Sequence, residues 1–153
     1  MKVHKILKAL DVKRYKHTIG VVETADKLAQ YWKVNRKKAK IASFFHDLGR
    51  QFNNEELIQQ AKKYKIRIGK YEIENPLLLH GRIAVEILKK KYNFKEKDVL
   101  RAILFHTTGS KRMTKLEKII YLADYIEPGR KFKGVKKLKK LAFKNLNGAV
   151  AEA

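Results

Sequence analysis

Residues 75–92 read NPLLLHGRIAVEILKKKY and carry the clearest helical pattern in the chain. Asn75 suits the N-cap of a helix, because its side chain accepts a hydrogen bond from a free backbone N–H group. Pro76 suits the first helical position, where no backbone donor is needed. The apolar residues that follow recur every three or four positions and predict one buried face. They are Leu79, Ile83, Ile87 and Leu88.

The same periodicity extends in both directions from this segment, and alternating strand patterns are hard to find. Gly49 reads as the end of one helix, and Thr114 with Glu117 reads as a capping box at the start of another. Pro128 and Gly129 end that second helix. We therefore predict an all-α fold, a compact single-domain bundle of seven helices. The helices cover about 12–32, 36–48, 54–64, 95–105 and 114–126, with two more that start near 75 and 134.

The composition fits one domain: the chain has 153 residues, and 44% of them are hydrophobic. There is no cysteine, which excludes disulfides, thiolate metal sites and cysteine nucleophiles. No apolar run approaches the roughly 18–20 residues of a membrane span, and Met1–Asp11 lacks the apolar core of a signal peptide. We expect a cytoplasmic protein that does not enter a membrane.

The charge is strongly unbalanced, with 37 Lys and Arg against 15 Asp and Glu and a net charge of +22. Such a protein attracts polyanions, so nucleic acid is one candidate partner. A solvated surface is the alternative, because 29 of the 37 bases are Lys and the chain has no basic tail. The eight bases between Arg130 and Lys144 allow two interpretations as well, a solvated helix face or a phosphate funnel.

Six ionisable residues interrupt apolar helical stretches, where an unpaired charge is costly. Each histidine taken singly is explained as a hydrogen-bonded core residue. Four histidines and two aspartates that enter one core are explained together by a metal centre. Imidazole and carboxylate without thiolate suit Fe, Mn, Co, Ni or Zn, and such a metal can activate water for attack on phosphorus. The six residues are His17, His46, Asp47, His80, His106 and Asp124, and we take His4 to be exposed.

The order His17, His46-Asp47, Asp124 resembles that of the HD phosphohydrolase superfamily. Longer strings resemble one branch more closely, the YqeK-type symmetrical bis(5′-nucleosyl)-tetraphosphatases, which hydrolyse diadenosine tetraphosphate. This resemblance covers nearly the whole chain. Its strings are Arg14-x-x-His17-Thr18, His80-Gly81, His106-Thr107-Thr108-Gly109, residues 122–130 (LADYIEPGR) and Phe132-x-Gly134-Val135.

The resemblance implies a helical HD-type domain over residues 1–153 and hydrolysis of P1,P4-bis(5′-adenosyl) tetraphosphate, or a similar dinucleoside polyphosphate, to two ADP. It also implies one or two metal ions, iron first, with Mn, Co or Zn as alternatives. The implied metal ligands are His17, His46, Asp47 and Asp124. The implied catalytic residues are Asp47, His80 and His106. The residues implied to bind phosphate are His80, His106, Thr107, Arg50 and Arg130, and the two histidines are alternatively ligands of a second metal.

Other interpretations stay open. Members of this family generally continue with further helices, so we expect the chain to lack the C-terminal helical extension that helps complete the nucleoside pocket. An exposed apolar stripe on the last helix would then favour a homodimer. The alternative functions are another nucleotidase or phosphodiesterase on the same scaffold and a basic, non-catalytic protein that binds RNA or ribosomes. The stripe is Leu138, Leu141, Leu146 and Val150.

Overall fold

Helices make up most of residues 12–153, the part of the chain that this computed structural model describes, and no strand occurs among those residues. The prediction of an all-α fold is confirmed, while His4 lies outside the described residues. None of the described helices is both long and apolar enough to cross a membrane. The described part holds nine α-helices: α1 Val12–Tyr31, α2 Arg36–Phe45, α3 Asn54–Lys63, α4 Lys70–Glu74, α5 His80–Tyr92, α6 Lys97–Leu104, α7 Lys115–Ile126, α8 Val135–Lys144 and α9 Leu146–Glu152. Two short 3₁₀ turns cover Leu48–Gln51 and Pro76–Leu79.

The core lies where α1 packs on α2 and α7, and where α6 packs on both α5 and α7. The apolar face predicted within residues 75–92 is buried, with Leu79, Ile83 and Leu88 wholly inaccessible to solvent. Removing one such side chain from water contributes about 1.5–3 kcal/mol to stability. These packed helices fix the positions of the side chains of α1 and α7 and of the ends of α2, α5 and α6, from which the candidate site is built.

Two helix starts illustrate what local sequence does and does not determine. Thr114 caps α7, because its hydroxyl accepts a hydrogen bond from the Glu117 backbone N–H at 3.2 Å, but the Glu117 side chain binds Arg101 and does not complete the predicted capping box. The side chain of Asn75 makes no cap, and Pro76–Leu79 forms a 3₁₀ turn instead of the first helical turn. Helix α5 therefore begins at His80, four residues later than predicted.

The last predicted helix is broken at Asn145. The backbone there is extended (φ −149°, ψ 99°), and the Asn145 side chain caps a new helix by accepting a hydrogen bond from Gly148 N at 2.9 Å. This break turns α9 back onto α7 and α8, so that Leu138 and Leu146 are buried. Half of the apolar stripe expected to be exposed is thus buried within the chain, whereas Leu141 and Val150 are half-buried.

The buried carboxylate of Glu117 predicts a measurable stability effect. Its side chain is 1% exposed, and Arg101 Nε donates to it at 2.9 Å. Replacing Arg101 by Ala would leave this charge buried without its partner. The free energy of unfolding should fall by about 2 kcal/mol, which is less than for a fully buried pair because half of the Arg101 side chain is exposed to solvent. Urea unfolding followed by circular dichroism measures the change.

The matched control is Lys89→Ala, which removes the exposed Lys89–Glu86 pair. We expect a smaller shift of the urea midpoint for this variant, because solvent screens exposed pairs. Equal midpoints for the two variants would contradict the prediction.

Candidate metal centre

Six polar side chains converge at one place in the fold. They come from α1, from the residues that follow α2 and α6, from the start of α5 and from α7. Within the described part of the chain, three overlapping triplets have ligand atoms that all lie within 4.8 Å of one another. The triplets are His17–His46–Asp47, His46–His106–Asp124 and Asp47–His80–His106.

Three of the four histidines in this cluster are oriented in the same way. In each, the ring Nδ1 lies close to the backbone carbonyl oxygen three residues earlier. Because a carbonyl only accepts, Nδ1 carries the proton, and Nε2 is left with a free lone pair. The pairs are His46 with Ser43 at 2.5 Å, His80 with Leu77 at 2.5 Å and His106 with Ile103 at 2.7 Å.

The inward-facing nitrogens fit a metal ion. His46 Nε2 is buried and has no hydrogen-bond partner among the described residues. His80 Nε2 and His106 Nε2 lie only 2.9 Å apart, although both carry lone pairs when Nδ1 is protonated. A buried, unpartnered acceptor is costly, and a cation would satisfy it. The donor set therefore indicates a divalent metal ion.

A change of backbone direction brings two adjacent residues to the same centre. Helix α2 ends at Phe45 and not at Leu48 as predicted, and Asp47 leaves the helical path with φ −95° and ψ 12°. His46 Nε2 consequently lies 3.8 Å from Asp47 Oδ2. Neighbours on a continuous helix would point about 100° apart, so the break allows both side chains to face one centre.

Asp47 lies at the centre of the cluster. Its Oδ1 lies 3.3 Å from His80 Nε2 and 3.0 Å from Arg50 Nε, although the Arg50 contact lacks the angle of a hydrogen bond. Its Oδ2 accepts a hydrogen bond from Arg14 Nη1 at 3.3 Å. Each carboxylate oxygen thus faces a different subset of partners, so Asp47 joins two of the triplets.

Gly49 serves a purpose different from the predicted helix end. Helix α2 has already ended, and the Gly49 backbone packs directly on the backbone of His80. A Cβ at position 49 would overlap the His80 carbonyl oxygen and lie 2.8 Å from His80 Cα. Glycine therefore permits the close approach that holds Asp47 beside His80.

The fourth histidine is oriented by a carboxylate. His17 Nδ1 lies 3.2 Å from Glu127 Oε1, and His17 Nε2 lies 3.2 Å from Asp124 Oδ1. The Arg130 side chain donates hydrogen bonds to two oxygens of Asp124, the backbone carbonyl oxygen at 2.8 Å and the side-chain Oδ1 at 2.5 Å. This side of the cluster is built from α1 and the end of α7.

The electrostatics of His46, Asp47 and Asp124 favour the protonation states that bind metals, whereas Asp124 and Glu127 raise the pKa of His17 against the effect of its burial. Complete burial lowers the pKa of His46 to about 4, which keeps its imidazole neutral. Burial opposes ionisation of Asp47, but His46, His106, His80 and the Arg50 guanidinium around it together hold the pKa of its carboxyl well below the usual range. Burial likewise opposes ionisation of Asp124, but the hydrogen bond to His17 and the nearby Arg130 guanidinium are among the contacts that together lower the pKa of its carboxyl. Neutral imidazole and ionised carboxylate are the forms that bind a metal.

A cavity of about 750 Å³ opens beside the cluster. Arg14, Arg50 and Arg130 contribute to its wall together with Asp47 and Asp124, so cations surround the two carboxylates. Such a wall can accept a polyanion and place it next to the metal-ligating groups. Lys13 and Lys16 add two further cations from α1.

Not every residue expected to bind phosphate lines this cavity. His80 and His106 are each 1% exposed and lie behind Asp47, with no share in the wall of the cavity. Thr107 is exposed, and its Oγ1 lies 3.1 Å from His106 Nε2 and 3.4 Å from His80 Nε2. The structure thus brings these three residues together, separately from Arg50 and Arg130.

The comparison with known families agrees with this geometry. Residues 14–129 match the family model described as the HD domain. The chain belongs to the HD domain family. The match begins at Arg14 and ends at Gly129, so the HD domain contains His17, His46-Asp47 and Asp124.

Curated proteins of similar sequence indicate which branch of the HD domain family this chain resembles. The chain is 40% identical over 140 residues to a protein from Bacillus subtilis (strain 168) named symmetrical bis(5′-nucleosyl)-tetraphosphatase, with 92% of this chain and 75% of that protein covered. A protein of the same name from Halalkalibacterium halodurans is 41% identical over 137 residues, with 90% and 73% covered. The resemblance to this branch of HD domain proteins, seen first in the sequence strings, is confirmed.

A solved structure has the same fold. The crystal structure of a predicted HD superfamily hydrolase involved in NAD metabolism, from Clostridium acetobutylicum, superposes with a TM-score of 0.92 at 43% identity. The alignment covers 98% of this chain and 82% of that one. The helical arrangement that positions the six polar residues is thus that of an HD domain.

Sequence reasoning gave no role to two residues of this HD domain site. Glu127 belongs to the quoted string LADYIEPGR, and it lies three residues past Asp124, a spacing that places both on one side of the chain. That spacing was the available signal. Gly20 lies in the middle of α1, where glycine lowers helix stability, and a Cβ there would lie 2.7 Å from Glu127 Oε2.

Proposed function

We propose that this HD domain protein hydrolyses diadenosine tetraphosphate, and similar dinucleoside polyphosphates, symmetrically to two ADP with iron as its metal. Manganese, cobalt and zinc are the alternative metals. The observation that carries the proposal is the set of oriented imidazole and carboxylate groups beside a cavity walled by arginines. The names of the curated relatives support the choice of substrate.

In this proposal the metal is held by His17, His46, Asp47 and Asp124. Iron bound there would supply Lewis acidity, which activates water and offsets charge on a phosphoryl oxygen. The oxygen of one water forms a new bond to phosphorus, and the central bridging oxygen leaves with one ADP. We assign proton transfer and the stabilisation of developing charge to Asp47, His80 and His106.

The phosphate chain brings about four negative charges, which need cationic partners. Arg50 and Arg130 occupy the cavity wall next to Asp47 and Asp124, and each is ion-paired with its carboxylate. When a metal satisfies those carboxylates, the guanidinium groups become available for phosphate. Thr107 contacts both His80 and His106, so we propose that these three either bind phosphate together or flank a second metal.

Product analysis tests the proposal. Iron-loaded protein incubated with diadenosine tetraphosphate should give ADP as sole nucleotide product, measured by anion-exchange chromatography. Removing the metal with EDTA should abolish turnover, and added Fe²⁺ should restore it, because the metal would lower the pKa of the attacking water.

Two outcomes would contradict the proposal. ATP with AMP would show asymmetrical cleavage, and no reaction would point to another substrate for the same scaffold. Tight RNA binding that survives His46→Ala and Asp47→Ala, and that disappears at high salt, would favour the non-catalytic alternative. The cytoplasmic location and the homodimer stay predictions.

A further inference from the structure

We infer that Glu127 is a positioning residue that orients His17 toward the metal and strengthens it as a ligand. The inference rests on the metal site of the proposed function, and on neither the substrate nor the reaction. Its basis is a difference among the four histidines. His46, His80 and His106 are oriented by backbone carbonyls, whereas His17 Nδ1 faces the Oε1 of a carboxylate at 3.2 Å.

The local reason for this difference is the position of His17 in α1. His46, His80 and His106 lie at helix ends or just beyond them, where a ring can reach a nearby carbonyl. His17 lies well inside α1, where backbone carbonyls are occupied by the helix's own hydrogen bonds. An acceptor for Nδ1 must therefore come from another element, and Glu127 at the end of α7 supplies it.

The surroundings of Glu127 hold its carboxylate in one place. Its side chain is 6% exposed, and its Oε2 accepts a hydrogen bond from Gly129 N at 2.5 Å. Gly20 leaves room for the carboxylate on the α1 side, because a Cβ at position 20 would lie 2.7 Å from Oε2 and 3.2 Å from Pro128 Cδ. We call Gly20, Gly129 and His17 the Glu127 cradle.

This arrangement has a chemical consequence for the metal. A carboxylate that accepts the Nδ1 proton fixes the tautomer of the ring and raises the basicity of Nε2. His17 Nε2 lies 3.2 Å from Asp124 Oδ1 and 3.9 Å from Asp47 Oδ2, so the strengthened nitrogen faces the two carboxylates that we propose as ligands. Losing such a partner typically costs about ten- to a hundredfold in metal affinity.

The competing explanation is that Glu127 only shapes the turn after α7 through its bond to Gly129 N. Binding of Co²⁺ to the metal-free 153-residue chain distinguishes the two roles, with visible absorption and a competing chelator as the readout. Glu127→Gln should weaken Co²⁺ binding about ten- to a hundredfold. The matched control, Glu117→Gln, removes another buried carboxylate of the α7 region and should change Co²⁺ affinity less than about twofold, because its partner is Arg101.

A second variant moves the carboxylate without removing its charge. In Gly20→Ala, the new methyl group displaces Glu127 from its cradle although alanine favours the helix. We expect a loss of Co²⁺ affinity of about tenfold in this variant. In a Glu127→Ala background the contact with Oε2 is gone and the contact with Pro128 Cδ at 3.2 Å remains, so Gly20→Ala should then lower Co²⁺ affinity much less.

Three results would overturn the inference: unchanged Co²⁺ affinity in both Glu127→Gln and Gly20→Ala, equal losses in Glu127→Gln and Glu117→Gln, or the same Gly20→Ala effect in both backgrounds. If Glu127→Gln does not fold, Gly20→Ala alone decides between the two roles. The readout does not involve substrate. A chain that shows the expected Co²⁺ pattern but does not hydrolyse diadenosine tetraphosphate would refute the proposed function and leave the role of Glu127 standing.

Discussion

Replacing Asp47 by Asn should lower the rate of diadenosine tetraphosphate hydrolysis by at least about a thousandfold, equivalent to about 4 kcal/mol of lost transition-state stabilisation. Asp47 joins two of the three ligand triplets, and its oxygens face His80 on one side and Arg14 on the other. The substitution keeps the shape of the side chain but removes the charge. It should therefore remove metal binding and catalysis together while leaving the helices intact.

The measurement combines ADP formation with metal content per chain after loading with Fe²⁺. Asp26→Asn is the matched control, because Asp26 is an aspartate of α1 whose partners are Arg36 and Lys40 and not the metal centre. Its activity and metal content should equal those of the unmodified protein. Full metal content with full activity in Asp47→Asn would refute the central place that we give to Asp47.

Gly49→Ala should be among the most destabilising single-methyl changes in this protein. The added methyl meets the backbone of His80, which cannot rotate away as a side chain can. Overpacking against fixed backbone costs about 3 kcal/mol, and for a chain of this size that lowers the melting temperature by roughly 10 °C. Any folded fraction should also bind metal weakly, because the turn that carries Asp47 is displaced.

Gly69→Ala is the control for this variant. Its new methyl would lie 2.6 Å from Glu72 Oε2, the end of a side chain that can move aside, so we expect a much smaller change of melting temperature. Calorimetry measures both variants. If the two melting temperatures fall equally, backbone contact at Gly49 is not what requires glycine there.

Much of the site was predictable because its chemistry is unusual for a protein core. His46, Asp47 and Asp124 interrupt apolar helical stretches, and buried ionisable groups need a reason that sequence alone can suggest. The cap at Thr114 was also predictable, since its partner lies three residues away. Local spacing carries such information directly.

What escaped prediction depends on contacts between distant segments. The need for glycine at position 49 comes from His80, thirty-one residues further along the chain, and the role of Glu127 comes from His17. Helix α4 is short and polar, so it has no apolar periodicity that would predict it. Its start is stabilised by a hydrogen bond from Gly69 N to the Glu72 carboxylate at 3.0 Å. Which residues line the cavity likewise follows from packing between distant helices. The sequence therefore does not indicate that His80 lies behind Asp47 and outside the cavity wall.

The backbone carbonyl acceptors of His46, His80 and His106 affect which amino-acid substitutions the metal centre tolerates. A backbone carbonyl is present whatever side chain the residue carries, so substitutions at Ser43, Leu77 or Ile103 leave the acceptor in place. Drift at those positions can proceed without cost to ring orientation. The acceptor for His17 is instead encoded by one codon, that of Glu127. The orientation of His17 thus depends on an acceptor that a single side-chain substitution removes, although all four rings look equivalent in the sequence.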